Sequence, residues 1–268
     1  GATIIESERK KVRMHAMISE KMKPLVNNNS AIRAMFEEGK RLAAKYGAEN
    51  VYDFSLGNPN VPAPAEVNQA IIDLVKEEDP VFLHGYMSNA GYEDVRRTVA
   101  ESLNKRFGTH FHENNILMTV GAASGLNVIL KTLLNPGDEV LTFAPYFVEY
   151  GNYVRNYDGI LEVVSPNTAT FQPNLAEFEK KITSRTKAVI INTPNNPTGV
   201  VYSAETLTAM ADILRRKQEE LGTDIAIISD EPYRELAYDG VEVPYVTKFY
   251  DNTVICYSYS KSLSLPGE

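Results

Sequence analysis

Cysteine is nearly absent: the single residue, Cys256, excludes an internal disulfide and any thiolate metal cluster. It falls in the β-rich run 252–257, which suggests a buried structural thiol. Histidine is scarce too, with four in 268 residues. His110 and His112 would share one face of an extended segment, but no third ligand stands near them and no metal site is assigned. Long apolar runs are missing, none approaching the ~18 residues a spanning helix needs. Gly1 to Lys23 is charged where a secretory leader would be apolar. Positive charge is not in excess either. The 27 Lys and Arg against 35 Asp and Glu leave a formal charge of -8, which argues against a general nucleic-acid binder or an anionic-membrane binder. Neither G-x-G-x-x-G nor G-x-x-x-x-G-K-S/T occurs, so both nucleotide fingerprints are excluded. A soluble cytoplasmic protein is the expectation.

What is present can bury a large core: 43% of the residues are hydrophobic and 23% charged, enough for one large domain or one and a half. Gly1 to Asn29 has no clear period and reads as an arm that ends in the turn Asn27 to Ser30, which can also cap a helix. Helical spacing over Ala31 to Tyr46 stops at Gly47, and Val51 to Ser55 reads as a short strand before the Pro-rich loop 57–62. A helix over Ala65 to Lys76 should turn Val67, Ile71 and Leu74 inward; another should carry Val95, Val99, Leu103 and Phe107 on one stripe and end at Gly108. From there strands and helices alternate. Strands are predicted at Ile116 to Val120, Glu139 to Phe143, Ile160 to Val164, Ala188 to Asn192, Ile225 to Ser229 and Thr253 to Tyr257. The helices between them are predicted at Ser124 to Leu134, Tyr146 to Tyr153, Leu175 to Ile182 and Ala204 to Leu221. Such alternation implies an α/β fold, a mostly parallel sheet with helices on both faces and ligands bound beyond the carboxyl ends of the strands.

The residues that follow each strand therefore carry the chemistry. Gly121, Ala122 and Ala123 lead into a helix whose free N–H groups could receive a phosphate, or could simply be an ordinary helix entry. Phe147, in Ala144-Pro145-Tyr146-Phe147, could stack on a flat heteroaromatic ring or pack in the core. Thr193-Pro194-Asn195-Asn196-Pro197-Thr198-Gly199 can hold an amide towards a ligand oxygen. Asp230, in Asp230-Glu231-Pro232-Tyr233, could face a pyridine nitrogen, with Tyr233 donating to a ring hydroxyl, or could be a plain cap. Lys261, in Ser258-Tyr259-Ser260-Lys261, leaves a strand into a Ser-rich turn. Poor solvation there would let it lose its proton more easily than a surface lysine. Tyr86, in an irregular loop before Gly91, reads by position as a packed aromatic.

Three runs taken in order, 195–199, 230–233 and 258–261, resemble the fold-type I pyridoxal-phosphate enzymes, specifically the class I/II aminotransferases similar to aspartate aminotransferase. The resemblance runs from about Ile32 to the last residue. It implies pyridoxal 5'-phosphate as cofactor and the large domain of that fold, with a seven-stranded-type sheet over 51–268. Residues 1–50 would be the arm and first helix, part of an incomplete small domain. Lys261 would be the Schiff-base lysine and proton shuttle, and Asp230 the partner of the pyridine nitrogen. Asn196 and Tyr233 would bond the cofactor's phenolic oxygen. Phe147 would stack on the ring; Gly121, Ala122, Ala123, Ser258 and Ser260 would hold the phosphate. Tyr86 would reach the phosphate of a neighbouring subunit, which implies a homodimer, and Gly57 and Asn196 would meet the substrate. The implied reaction moves an amino group between an aspartate-like amino acid and a 2-oxo acid. A lyase or decarboxylase of the same fold, or a non-catalytic regulatory module, are the alternatives. The family's phosphate-binding arginine would stand one position past Glu268, and its C-terminal portion further on. The chain thus reads as a fragment, expected to retain cofactor weakly and to transaminate little by itself.

Overall fold

The computed structural model describes residues 17–27, 31–55 and 57–267. Most of the predicted arm, Gly1 to Asn29, lies outside the described residues, as do Leu56 and Glu268. Contacts divide the chain into two compact units, Gly1–Asn58 and Pro59–Glu268.

In the first unit α1 covers Lys23–Asn27 and α2 covers Ala31–Tyr46, the latter as its spacing predicts. The strand expected at Val51 to Ser55 does not form. The Ser55 N–H donates instead to Oδ1 of Asp53 at 2.9 Å, a local side-chain turn that competes with a ladder. Tyr52 and Phe54 stand exposed beside it.

The second unit begins with α3 (Ala65–Glu77), α4 (Pro80–Leu83) and α5 (Glu93–Phe107). Asp79 caps α4 by accepting from the N–H groups of Val81 and Phe82. α5 stops at Gly108, whose φ of 64° is the left-handed conformation that glycine adopts without strain. The inward stripe expected on α3 fails here, while on α5 Val99, Leu103 and Phe107 of the expected stripe are half-buried. α3 buries none of its residues, and Ile71 and Leu74 are 45% and 48% exposed. On α5 the buried residues are Arg96 and Ala100. Arg96 is held inside by backbone carbonyls, its Nε and Nη1 donating to the oxygens of Gly91 and Glu113. Val95 is exposed. Periodicity reports a stripe, but only a neighbour can cover it.

Then α6 (Gly121–Leu133), β1 (Glu139–Phe143), α7 (Glu149–Asn156), β2 (Ile160–Val164), α8 (Leu175–Lys181) and β3 (Thr186–Asn192) follow in turn. The chain continues through α9 (Ala204–Leu221), β4 (Ala226–Asp230), β5 (Thr253–Cys256) and α10 (Tyr259–Ser262). The sheet has five strands in the order β2-β1-β3-β4-β5, and every neighbouring pair is parallel. The described residues thus give five of the seven strands anticipated. Ile116 to Val120, the remaining predicted strand, has no ladder: the N–H of Met118 donates to the carbonyl of Ala90 in a loop, 3.0 Å away. Gly91 permits that approach, because a Cβ there would stand 2.6 Å from Cγ of Met118. Two helix starts also move. α6 begins at Gly121 rather than Ser124, and α7 at Glu149 rather than Tyr146, which leaves Tyr146 and Phe147 in the turn after β1.

Alternate residues of the strands feed two cores, one on each face of the sheet. Leu141, Val189, Ile191 and Ile227 pack with Phe178 of α8 and Leu207, Met210 and Leu214 of α9. Val140, Ala188, Ile190, Ile228 and Cys256 pack with Leu126 and Leu130 of α6 and Tyr150 and Val154 of α7. Cys256 is the buried thiol the sequence suggests, pushed up to about 12 by burial first and by Asp230 and Glu231 next. With β1 and β3 adjacent and the chain winding outward from them, the strands' carboxyl ends open a crevice on one edge.

Candidate active site

A cleft of about 430 Å³ lies at that edge, within the range of small-molecule sites. Each predicted loop contributes to its wall. The start of α6 supplies Gly121, Ala122 and Ala123; the turn after β1 supplies Phe147; the loop after β3 supplies Asn196. Asp230 and Tyr233 come from the end of β4, and Ser258, Ser260 and Lys261 from the segment after β5. Parallel pairing is what gathers them: Asn192 stands beside Asp230 across β3 and β4, and Asp230 beside Cys256 across β4 and β5. Residues far apart in sequence therefore finish at one level.

Asp230 is 6% exposed. Its Oδ2 accepts a 2.5 Å hydrogen bond from the hydroxyl of Tyr150, and its backbone carbonyl accepts from the Asn192 amide at 2.8 Å. Oδ1 is buried without a hydrogen-bond partner. Burial raises the carboxyl from 3.8 to about 6; the Tyr150 bond works against that rise, and the neighbouring Glu231 carboxylate adds to it. A buried carboxylate oxygen is strongly disfavoured unless something donates to it. One side of Asp230 is thus open to a donor that none of the described residues provides.

The next loop is arranged by Asn195, whose Oδ1 accepts from the backbone N–H and the hydroxyl of Thr198. The N–H of Gly199 closes the turn on the Asn195 carbonyl at 2.8 Å. Asn196 is left to face inward. Its N–H donates to Oδ1 of Asn192 at 2.6 Å, and its amide donates to the Tyr233 hydroxyl at 3.1 Å. Burial raises the Tyr233 phenol, with Asn196 pulling it down and Asp230 pushing it up. Two polar groups so converge at one point of the wall, as a ring oxygen would require. Phe147 meets Tyr150 edge-on, with centroids 5.7 Å apart. Gly121 opens α6 with a φ of 75°, and the first turn of a helix leaves N–H donors without intrahelical acceptors.

Glu231, beside Asp230, is fully buried. It accepts from the hydroxyl of Ser229 and from Nε of Arg234, both at 2.7 Å, and from the Arg234 Nη2. The Arg234 guanidinium also donates to the carbonyl of Val243 and lies against the rings of Phe107 and Tyr245. This ion pair anchors the 231–234 turn that presents Tyr233.

Two expected residues are not in this wall. Tyr86 is fully exposed, and Gly57 belongs to the first unit. Sequence reasoning missed Tyr150, Asn192 and Tyr153, all of which touch Asp230 or line the cleft. A polar residue closing an apolar strand was a legible sign for Asn192. Tyr150 and Tyr153 gave no such sign, since aromatic residues at helical spacing usually mark packing. Among the described residues no group of three or more His, Cys, Asp and Glu could hold a metal ion, and no helix is long and apolar enough to cross a membrane.

The group these residues fit combines a protonated ring nitrogen, a ring oxygen, a flat face and a phosphate. Comparison with known proteins agrees. Residues 48–268 match the family model "Aminotransferase class I and II". A probable aspartate/prephenate aminotransferase of Aquifex aeolicus is 33% identical over 86% of this chain and 57% of its own length; the aspartate aminotransferase of Thermotoga maritima is 30% identical over 88% and 60%. A crystal structure of an amino transferase from Eubacterium rectale superposes with a TM-score of 0.91 at 50% identity, covering 94% of this chain and 64% of that one. That of the Thermus thermophilus aspartate aminotransferase with maleate gives 0.81 at 27% identity, covering 93% and 62%. The chain spans about three-fifths of the length of the curated relatives it matches. With the family model covering most of its length and the strand-end residues meeting in one cleft, this chain belongs to the class I and II aminotransferases, a family dependent on pyridoxal phosphate.

Proposed function

We propose that the protein carrying this chain transfers an amino group between an amino acid, aspartate-like by preference, and a 2-oxo acid, with pyridoxal 5'-phosphate held in the cleft described above. The observation that carries this reading is the partnerless, buried Oδ1 of Asp230 in the wall shared with Lys261. The cofactor, when bound, supplies an electron sink for the carbanion left when the substrate α-carbon loses its proton. The rest falls to the chain. Asp230 holds a proton on the pyridine nitrogen, its charge favoured there by the ion pair and by the second bond from Tyr150. Asn196 and Tyr233 donate to the phenolic oxygen and keep it ionised. Phe147 fixes the plane of the ring. The N–H groups of Gly121, Ala122 and Ala123, with the Ser258 and Ser260 hydroxyls, hold the phosphate. The Lys261 amine anchors the cofactor and then carries the proton taken from the substrate α-carbon.

The preference for aspartate rests on the names of relatives about 30% identical, several of which are aspartate aminotransferases. The same reading takes Gly57 as a backbone contact to the substrate carboxylate and the protein as a cytoplasmic homodimer. Tyr86, fully exposed on one chain, would reach the phosphate in the second copy. It also assigns 51–268 to the cofactor-binding domain and 1–50 to part of a smaller one. The division of contacts at Asn58 gives that assignment support.

The test is spectroscopic and chemical. Adding pyridoxal 5'-phosphate should produce a stable visible absorbance band that Lys261→Ala abolishes. Aspartate with 2-oxoglutarate should then yield oxaloacetate and glutamate. A wild-type protein without the band, or one releasing ammonia instead of glutamate, overturns the proposal.

A further inference from the structure

Lys261 sits on α10, a helix of four residues. One turn fixes several backbone dihedrals for very few hydrogen bonds, so it does not hold itself. Its start, Ser258, is extended and makes no side-chain cap. What spans the turn is Tyr257, the residue directly after β5. Its hydroxyl lies 2.9 Å from Oγ of Ser262, the residue after Lys261, and its ring meets that of Tyr259 edge-on at 5.5 Å. The segment Ser258 to Lys261 is therefore spanned by one side-chain contact, from the end of the sheet to Ser262. The Glu235 carboxylate, whose charge helps to raise the Tyr257 hydroxyl, is paired with Arg106 of α5 at 2.7 Å. Burial first, then the Glu235 carboxylate, keeps the Tyr257 hydroxyl protonated, near about 12. Neither Tyr257 nor Ser262 lines the cleft.

We infer that Tyr257 is a positioning residue for Lys261, holding through Ser262 the single helical turn that aims the amine into the cleft. The inference rests on the proposed cofactor reading. Its physical content is pre-organisation: an amine already held in place loses less freedom when it engages a ligand.

The experiment is a double-mutant cycle on pyridoxal 5'-phosphate affinity, measured by equilibrium dialysis with the full chain. Tyr257→Phe keeps the ring and removes only the hydroxyl. It should weaken binding about five- to tenfold, or ~1–1.4 kcal/mol. Ser262→Ala should give a similar loss without adding to the first, while Ser262→Thr, which keeps a hydroxyl, should retain wild-type affinity. In the Lys261→Ala background Tyr257→Phe should have no further effect, because there is no amine left to aim. An equal loss in both backgrounds would mean that Tyr257 supports the cleft in general and would overturn the inference, as would no loss in either. A wild-type chain that binds no cofactor overturns the functional reading together with it. Binding without the coupling overturns this inference alone.

Discussion

Among the described residues the Tyr150 hydroxyl is the one side chain that donates to the Asp230 carboxylate, so Tyr150→Phe isolates its effect with little change of volume. Hydrogen bonds to charged groups contribute ~1.5–3 kcal/mol, and 1.36 kcal/mol corresponds to one pKa unit. Losing the bond should therefore raise the Asp230 carboxyl from about 6 to roughly 7–8. The sign of the stability effect follows from linkage. A carboxyl whose folded value lies above its unfolded 3.8 stabilises the fold fully at pH below 3.8, and this contribution is lost as pH rises through the folded value. In wild type the loss is complete just above pH 6, at a cost of ~3 kcal/mol. In the variant it continues to about pH 8 and runs deeper. Urea unfolding of the cofactor-free chain should thus show a modest deficit for Tyr150→Phe at pH 4.5, larger by about 1.5–3 kcal/mol at pH 8.5. A difference spectrum of the carboxyl stretch should place the variant's titration above that of wild type. Equal deficits at the two pH values would refute the reasoning, since the bond would then be indifferent to the charge on Asp230.

Arg234→Met should cost about 3–5 kcal/mol by leaving the Glu231 carboxylate charged and unpaired in the interior, seen as a fall in thermal midpoint; a loss under 1 kcal/mol would mean that Glu231 simply takes up a proton. Gly222, which ends α9 with a φ of 64° and has nothing within 4 Å of a would-be Cβ, should lose about 1 kcal/mol on substitution by Ala through backbone strain alone. An unchanged midpoint in urea would contradict that.

The alternation of strands and helices, the two limits of α9 and the membership of each strand-end run were legible because they depend on local order: a period, a cap, a proline-fixed turn. Asn196, Asp230 and Lys261 could be singled out for the same reason, each closing or shortly following a recognisable strand. What the local signal could not carry was partnership. Ile116 to Val120 has the composition of a strand, yet Met118 finds the carbonyl of Ala90 rather than a ladder. Ile71 and Leu74 keep helical spacing, yet none of the described residues buries them.

The amino-acid order by itself determined which groups follow the strands, since side chains at the ends of parallel strands must emerge on one edge of the sheet. Only the tertiary structure decided their states. Which oxygen of Asp230 is occupied by Tyr150 and which is left open depends on how α7 packs over the sheet, as does the burial that lifts its carboxyl. Those are three-dimensional distances between residues far apart in the chain, and no periodicity encodes them.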